Sequence, residues 1–362
     1  MGWKRRLVGV AAVAAVVPFG IGATPVGAAA PHTVTVTPGH SIQAAIDAAH
    51  PGDTIVVARG TYQESLQITT DDITLRGADG SDRNTVIEPP AVAPTNICTQ
   101  FNTGPSGICV LGQLDTSGNI VRNVEGVHIS GLTIRSFPQN GIFGFGTTDL
   151  EVSQVSAFND GGYGIARFAS TTSVLRDNSV AGNHEAGLYV GDSPDADTVV
   201  ANNKSWGNGF GIFVRHSHEV QVWGNTVWGN CLGVFVLDDG QAGGAGNVTV
   251  TGNTVHGNNL FCPPAEGPPL SGGGIALAGA VHTLVADNHV YGNNAGGTVG
   301  SGGIVLVSVT ALDGGSSPID DTVRNNTARH DAPADIVYDG SGSGNRFIGN
   351  QCGSSAPSGL CH

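Results

Sequence analysis

One pattern recurs down the chain: apolar-x-apolar-x-x-Asn-x-apolar-x-Gly-Asn. It reads "VLRDNSVAGN" from Val174, "VVANNKSWGN" from Val199, "VQVWGNTVWGN" from Val220, "VTVTGNTVHGN" from Val248 and "LVADNHVYGN" from Leu284, with a degraded copy, "TVRNNTARHD", from Thr322. The first Asn of each unit is Asn178, Asn203, Asn225, Asn253, Asn288 and Asn326, and Asn350 is a last echo. Successive gaps are 25, 22, 28, 35, 38 and 24 residues, the longer ones holding Gly-, Pro- and Ser-rich insertions such as "FCPPAEGPPLSGGG". Each unit also carries a Gly-apolar-x-apolar run, such as "GLYV" at Gly187, "GIFV" at Gly211 and "GVFV" at Gly233. A fixed period of this length marks stacked structural repeats. Three runs of three to five residues per unit, alternating and bounded by turn residues, read as short strands, and no amphipathic helix fits inside a unit.

A solenoid of such units is all-β: a single-stranded right-handed parallel β-helix, three short strands per coil and about ten coils. Alternate Val, Ile and Leu point into a continuous core, and coils stack at roughly 4.8 Å. An Asn at the same corner of every coil can bond the Asn above and below while tolerating left-handed backbone angles. The Gly-Asn pairs are turn residues rather than ligands.

The segment "SIQAAIDAAHPGDTIVVARGTYQESLQITTDDITLRGADG", Ser41 to Gly80, resembles the opening of pectin-lyase-like right-handed β-helix proteins. That resemblance implies a short helix closing the N-terminal end of the core. The residues agree: Ile42, Ala45, Ile46 and Ala49 share one helical face, with Ser41 as N-cap. A cap is what the exposed edge of a solenoid requires.

Residues 1–28 read as a secretory signal peptide, with Lys4, Arg5 and Arg6 ahead of an apolar run and a small-residue cleavage site near Ala28. The β-helix domain is expected over residues 33–352 and a disulfide-tethered tail over 353–362. Without the leader, 12 Lys and Arg face 29 Asp and Glu, a formal net charge of −17. So acidic a chain disfavours nucleic acid as a partner. No later segment has transmembrane length. The expected product is a secreted protein, free of the membrane and monomeric. Six cysteines in an exported chain imply three disulfides, and proximity favours Cys98–Cys109, Cys231–Cys262 and Cys352–Cys361.

In the resembled family, chemistry runs along the sheet built from the Gly-apolar-x-apolar strands and the turns that follow. Alternation sends Ile212 and Val214 inward and Phe143, Tyr189, Phe213 and Phe235 outward, as an exposed aromatic column on which sugar rings can stack. Beyond the strands lie Asp192 and Asp195, then Arg215, His216 and His218, then Asp238 and Asp239, in three successive layers about 5–10 Å apart. Arg167 stands in the preceding layer, where strict alternation aims it inward.

Three chemistries fit these residue types. Glycoside hydrolysis needs two carboxyl groups, which Asp192 with Asp238 or Asp239 can supply. Uronate β-elimination or C5 epimerisation needs a base and a neutralised carboxylate, roles open to Arg215 and His216. His216, His218 and Asp238 can also be read as metal ligands. The sequence names no cofactor outright; calcium is the candidate, since it would offset repulsion between an acidic protein and an acidic glycan. Among the enzyme signatures of the superfamily, Asp238-Asp239 matches the D-D of polygalacturonase-like hydrolases, but N-T-D, G-H-G and R-I-K are missing. "VRHSHE" keeps the His of the mannuronan epimerase D-P-H motif without its Asp-Pro. The expectation is a carbohydrate-active protein working on an extended polysaccharide as lyase, epimerase or hydrolase. The alternatives are a non-catalytic glycan-binding surface protein and a metal-handling accessory protein.

Overall fold

The computed structural model describes residues 30–80, 84–101, 104–241, 243–264, 268–311 and 315–361. The expected leader, residues 1–28, lies outside them. From Thr33 the chain winds through three parallel sheets in a fixed order, here I, II and III, once per coil. Sheet I has 13 strands, from Thr33–Val36 to Arg346–Ile348; sheets II and III have 11 each, from Gly60–Gln63 to Gln351–Cys352 and from Leu66–Ile68 to Ser355–Ala356. The last strand of sheet III therefore falls inside the expected tail, pairing Ser355–Ala356 with Ile336–Val337. One short antiparallel pair, Gln113–Leu114 with Ile120–Arg122, interrupts the winding.

Register is what makes the core. Ile142, Ile165, Leu188, Ile212 and Val234 lie directly over one another in sheet III, each at most 1% exposed. Burying each such side chain is worth about 1.5–3 kcal/mol. Helix Ile42–Asp47 closes the N-terminal end, with Ile42 and Ile46 buried and Ala45 and Ala49 packed on the same core. Ser41 Oγ accepts from the Ala44 amide at 3.1 Å, as an N-cap should. Glu64 adds to it, taking the Ile42 and Gln43 amides at 2.8 and 3.0 Å.

Two asparagine ladders run through the coils from Asn178 onward. At the I–II corner, Asn178, Asn203, Asn225, Asn253, Asn288, Asn326 and Asn350 each accept, through Oδ1, from the amide of the preceding coil's equivalent, at 2.9–3.1 Å. At the II–III corner the second Asn of the repeat does the same, through Asn183, Asn208, Asn230, Asn258 and Asn293. The ladder asparagines themselves are not left-handed. The residue before each one is, as at Asp177, Asn202, Gly224 and Gly229. Division of labour explains this: one residue turns the chain, and the next is left free to aim its amide along the axis.

From residue 131 onward, sheet I passes to sheet II through two-residue turns. The long insertions all adjoin sheet III: residues 89–107, 257–272 and 292–301 lead into it, and 112–127, 238–248 and 308–321 lead out of it. Disulfides Cys98–Cys109 and Cys231–Cys262 staple two of these insertions to its strands, and Cys352–Cys361 ties down the C-terminus.

Candidate functional site

Four successive coils leave sheet III through a left-handed residue, and the position stacks: Gly146, Ala169, Asp192 and His216 have φ of +63°, +45°, +51° and +46°. A hydroxyl on the residue after it supports the bend in two of these coils. Ser170 and Ser193 Oγ accept from the Thr147 and Ser170 amides one coil down, at 2.9 and 3.1 Å. Left-handed backbone at Ala, Asp and His costs energy that the stacked coils hold in place. The result is to turn Asp192 and His216 toward each other.

His216 is the centre. Its ring is 1% exposed, and both nitrogens meet carboxylates: Nδ1 lies 2.9 Å from Asp192 Oδ1, and Nε2 contacts Asp239 Oδ1. Arg215 donates Nε and Nη2 to the other oxygen of Asp239, at 3.1 and 2.6 Å. Burial works against the charged imidazole, but its hydrogen bonds to Asp192 and Asp239 and the Asp239 charge overcome it and raise its pKa. Burial would raise the Asp239 pKa, yet His216 and Arg215 hold it below the ordinary aspartate value. Arg215 stays firmly protonated: burial opposes its charge, but Asp239 more than compensates. Asp192, 49% exposed at its side chain, is the open edge of the cluster.

Tyr189 completes it. A methyl group at Gly191 would overlap the Tyr189 ring and hydroxyl, so the ring folds flat over that glycine. Its hydroxyl there is within reach of Arg215 and in the field of Asp192; burial and Asp192 raise its pKa. The sequence signal for this contact is a glycine inside an alternating strand, which marks close approach.

Asp192, Arg215, His216 and Asp239 thus come together, while Asp195 stands apart on the surface. Asp238 does not join them. It accepts from Ser316 Oγ at 2.6 Å and from the Gly240 amide at 3.0 Å, fastening one outgoing insertion to another. His218 Nε2 lies 2.7 Å from the Gly243 carbonyl. His216, His218 and Asp238 therefore do not converge as metal ligands, and no group of three or more His, Cys, Asp or Glu side chains among the described residues is arranged to hold an ion. Arg167 points into the core, fully buried, bonded to the Ser170 carbonyl. Alternation decides its direction.

The aromatic column needs correcting. Phe143, Tyr189, Phe213 and Phe235 do leave the coil interior, but they are only 4%, 1%, 7% and 8% exposed. Phe143 is packed against the disulfide Cys98–Cys109, and the other three form an outer apolar layer with Leu232, Val305 and their neighbours. The insertions beside sheet III supply the cover, and a strand-level alternation rule cannot see them. The rings left half-open are Phe145, Tyr163, Phe168 and Phe210. Phe168 stands in register with Gly191 and Arg215, and its ring meets that of Tyr189 at 4.6 Å.

A family model described as a right handed beta helix region matches residues 98–243. Among solved structures, the A-module of Azotobacter vinelandii mannuronan C-5 epimerase AlgE4 superposes with a TM-score of 0.61 at 20% identity, over 86% of this chain and 90% of that one. The A-module of AlgE6 from the same organism gives 0.55 at 20% identity, over 85% and 88%. A search of curated proteins finds no match. At this identity the likeness is one of fold.

Proposed function

The chain is a right-handed parallel β-helix protein with its insertions gathered on one sheet, and from that premise we propose that it is an exported enzyme acting on a uronate-containing polysaccharide, by β-elimination or C5 epimerisation. The observation that carries this reading is the His216–Arg215 pair gripped by Asp192 and Asp239 beside the Tyr189 hydroxyl. Both reactions begin by removing the proton next to a carboxylate, which requires that carboxylate to be neutralised in the transition state. Arg215, with its side chain 26% exposed, is the group to do it, and His216, buried with both ring nitrogens engaged, holds Asp192 and Asp239 in place beside it. His216 is poorly suited as the base because its ring is buried and both nitrogens already meet carboxylates. Asp192, at the exposed edge, is the base best placed to reach a bound ring, and Tyr189 can return or relay the proton. Half-open Tyr163, Phe168 and Phe210 offer apolar edges to neighbouring sugars. The two epimerase modules of like fold bear names consistent with such a substrate.

Hydrolysis is supported less well. It requires a carboxyl group kept protonated as general acid. Asp239 is held ionised instead, and of the carboxyl groups that burial does raise, Asp160 and Asp331 sit in the II–III ladder and Asp321 at the corner from sheet III to sheet I.

The test is to incubate the mature protein with alginate, polygalacturonate and neutral glycans, with and without calcium. Ultraviolet-absorbing unsaturated ends identify a lyase, and deuterium uptake from heavy water at C5 without chain cleavage an epimerase. Arg215→Ala should abolish either signal with little change in unfolding temperature. New reducing ends without unsaturation, or binding with no turnover on any glycan, would overturn the proposal.

A further inference from the structure

Sheet II differs in charge from the rest of the surface. Its eight strands from Ser156–Phe158 to Gln351–Cys352 contain no Asp or Glu, in a chain that has 29. They do contain Lys204, His256, His289 and Arg329, and among the described residues neither Lys204 nor Arg329 is in an ion pair. Outward positions fall into two columns by register. One runs Ser179, Lys204, Thr226, Thr254, His289 and Thr327; the other runs Trp206, Trp228, His256, Tyr291 and Arg329. In the second column the rings stack almost parallel: Trp206–Trp228 at 5.0 Å and 4°, Trp228–His256 at 6.1 Å and 6°, His256–Tyr291 at 4.8 Å and 7°. The two-residue turns from sheet I carry no insertion that could cover this face.

We propose that sheet II is a second binding strip, separate from the His216 cluster, for an acidic polysaccharide lying along the helix axis. Charge complementarity selects the partner. Cations at Lys204 and Arg329 stand four coil steps apart, roughly 19 Å, on strands without carboxylates. A row of hydroxyls beside them suits a hydroxyl-rich polymer with a regular repeat. The stacked rings spend their faces on each other and turn only their edges outward. That geometry leaves no face for a base to stack on, and the net charge of −14 repels the denser charge of nucleic acid. The strip binds whether or not the groove turns the polymer over.

Affinity electrophoresis through gels containing sodium alginate or sodium polygalacturonate, with dextran as the neutral control, tests it. The intact protein should be retarded by at least one polyuronate, less so as salt rises, and not by dextran. The exposed pair Lys204→Glu/Arg329→Glu should weaken retardation about fivefold or more while leaving unfolding and turnover of short oligosaccharides unchanged. Trp206→Ala should weaken it independently of charge. Arg215→Ala, which disables the groove, should leave most of the retardation in place. If Arg215→Ala abolishes retardation and the sheet II variants do not, the strip is wrong. It is equally wrong if neither polyuronate retards the protein, or if only a DNA-containing gel does. Loss of retardation in the sheet II variants of a protein that turns over no glycan would uphold the strip and sink the enzyme reading alone.

Discussion

At the scale of single residues, the corner ladders assign a cost to charge. Asp160 occupies the position that Asn183 and Asn208 fill in the next coils, and burial pushes its pKa up to about 8. Its Oδ2 is buried without a partner. Between the ordinary aspartate pKa and about 8, the folded chain holds a proton that the unfolded chain has lost. Stability therefore falls as pH rises through that window. Asp160→Asn should raise the unfolding temperature by about 2–4 °C at pH 9 and by much less at pH 4, measured by differential scanning calorimetry. An equal gain at both pH values would show that its charge is not what costs stability. The His216 cluster titrates the other way. The raised His216 pKa contributes stability that is complete below its unfolded value and is lost as pH rises through the folded one. Asp239, lowered, contributes above its unfolded value and loses that as pH falls through the folded one. The cluster is thus most stabilising in weak acid. Proton NMR of His216 should give a pKa above about 6.5, and Asp239→Asn should bring it down; an unmoved titration would mean the ion pair is not formed in solution.

At the scale of elements, the unit of stability is one ladder rung. Asn253 Oδ1 accepts both the amide and the Nδ2 of Asn225 at 2.9 Å, while its own Nδ2 reaches the Val222 carbonyl. Asn253→Ala strands the buried Asn225 amide at a cost of about 1–3 kcal/mol, since Asn225 Nδ2 keeps the Val200 and Trp223 carbonyls, whereas Asn259→Ala, at an exposed position just past the II–III corner of the same coil, should cost far less. Urea unfolding of the two variants makes the comparison, and similar losses would refute a ladder role. This part is legible in the sequence, because seven asparagines at one phase of a repeat must stack on one another once the coils do. The left-handed residue, by contrast, lies one position ahead of the Asn that side-chain type points to, since type alone does not say which of two neighbours carries the turn. The helix cap is legible at Ser41 but not at Glu64, which approaches from the second coil.

For the whole molecule, the three disulfides act on unequal loops, with sequence separations of 11, 31 and 9 residues. Loop-closure entropy assigns about 3.7 kcal/mol to Cys231–Cys262 and about 2.6 kcal/mol to Cys352–Cys361. Thermal scans of Cys231→Ser/Cys262→Ser and Cys352→Ser/Cys361→Ser should rank in that order. The reverse ranking would mean that pinning the C-terminal coil matters more than closing the longer loop. The repeat in the sequence was enough to determine the coil, the core columns and the corner ladders, because these recur every coil. The capping helix came from a resemblance and one apolar helical face, and the disulfide partners from proximity in sequence, both of them local signals. Only the tertiary structure decided what lies on the outside of the coils. It buried the aromatic column under insertions, separated Asp238 and His218 from His216, folded Tyr189 over Gly191, and left the stacked rings of sheet II open. Those outcomes depend on irregular loops and on contacts between coils, which no alternation rule within a strand encodes.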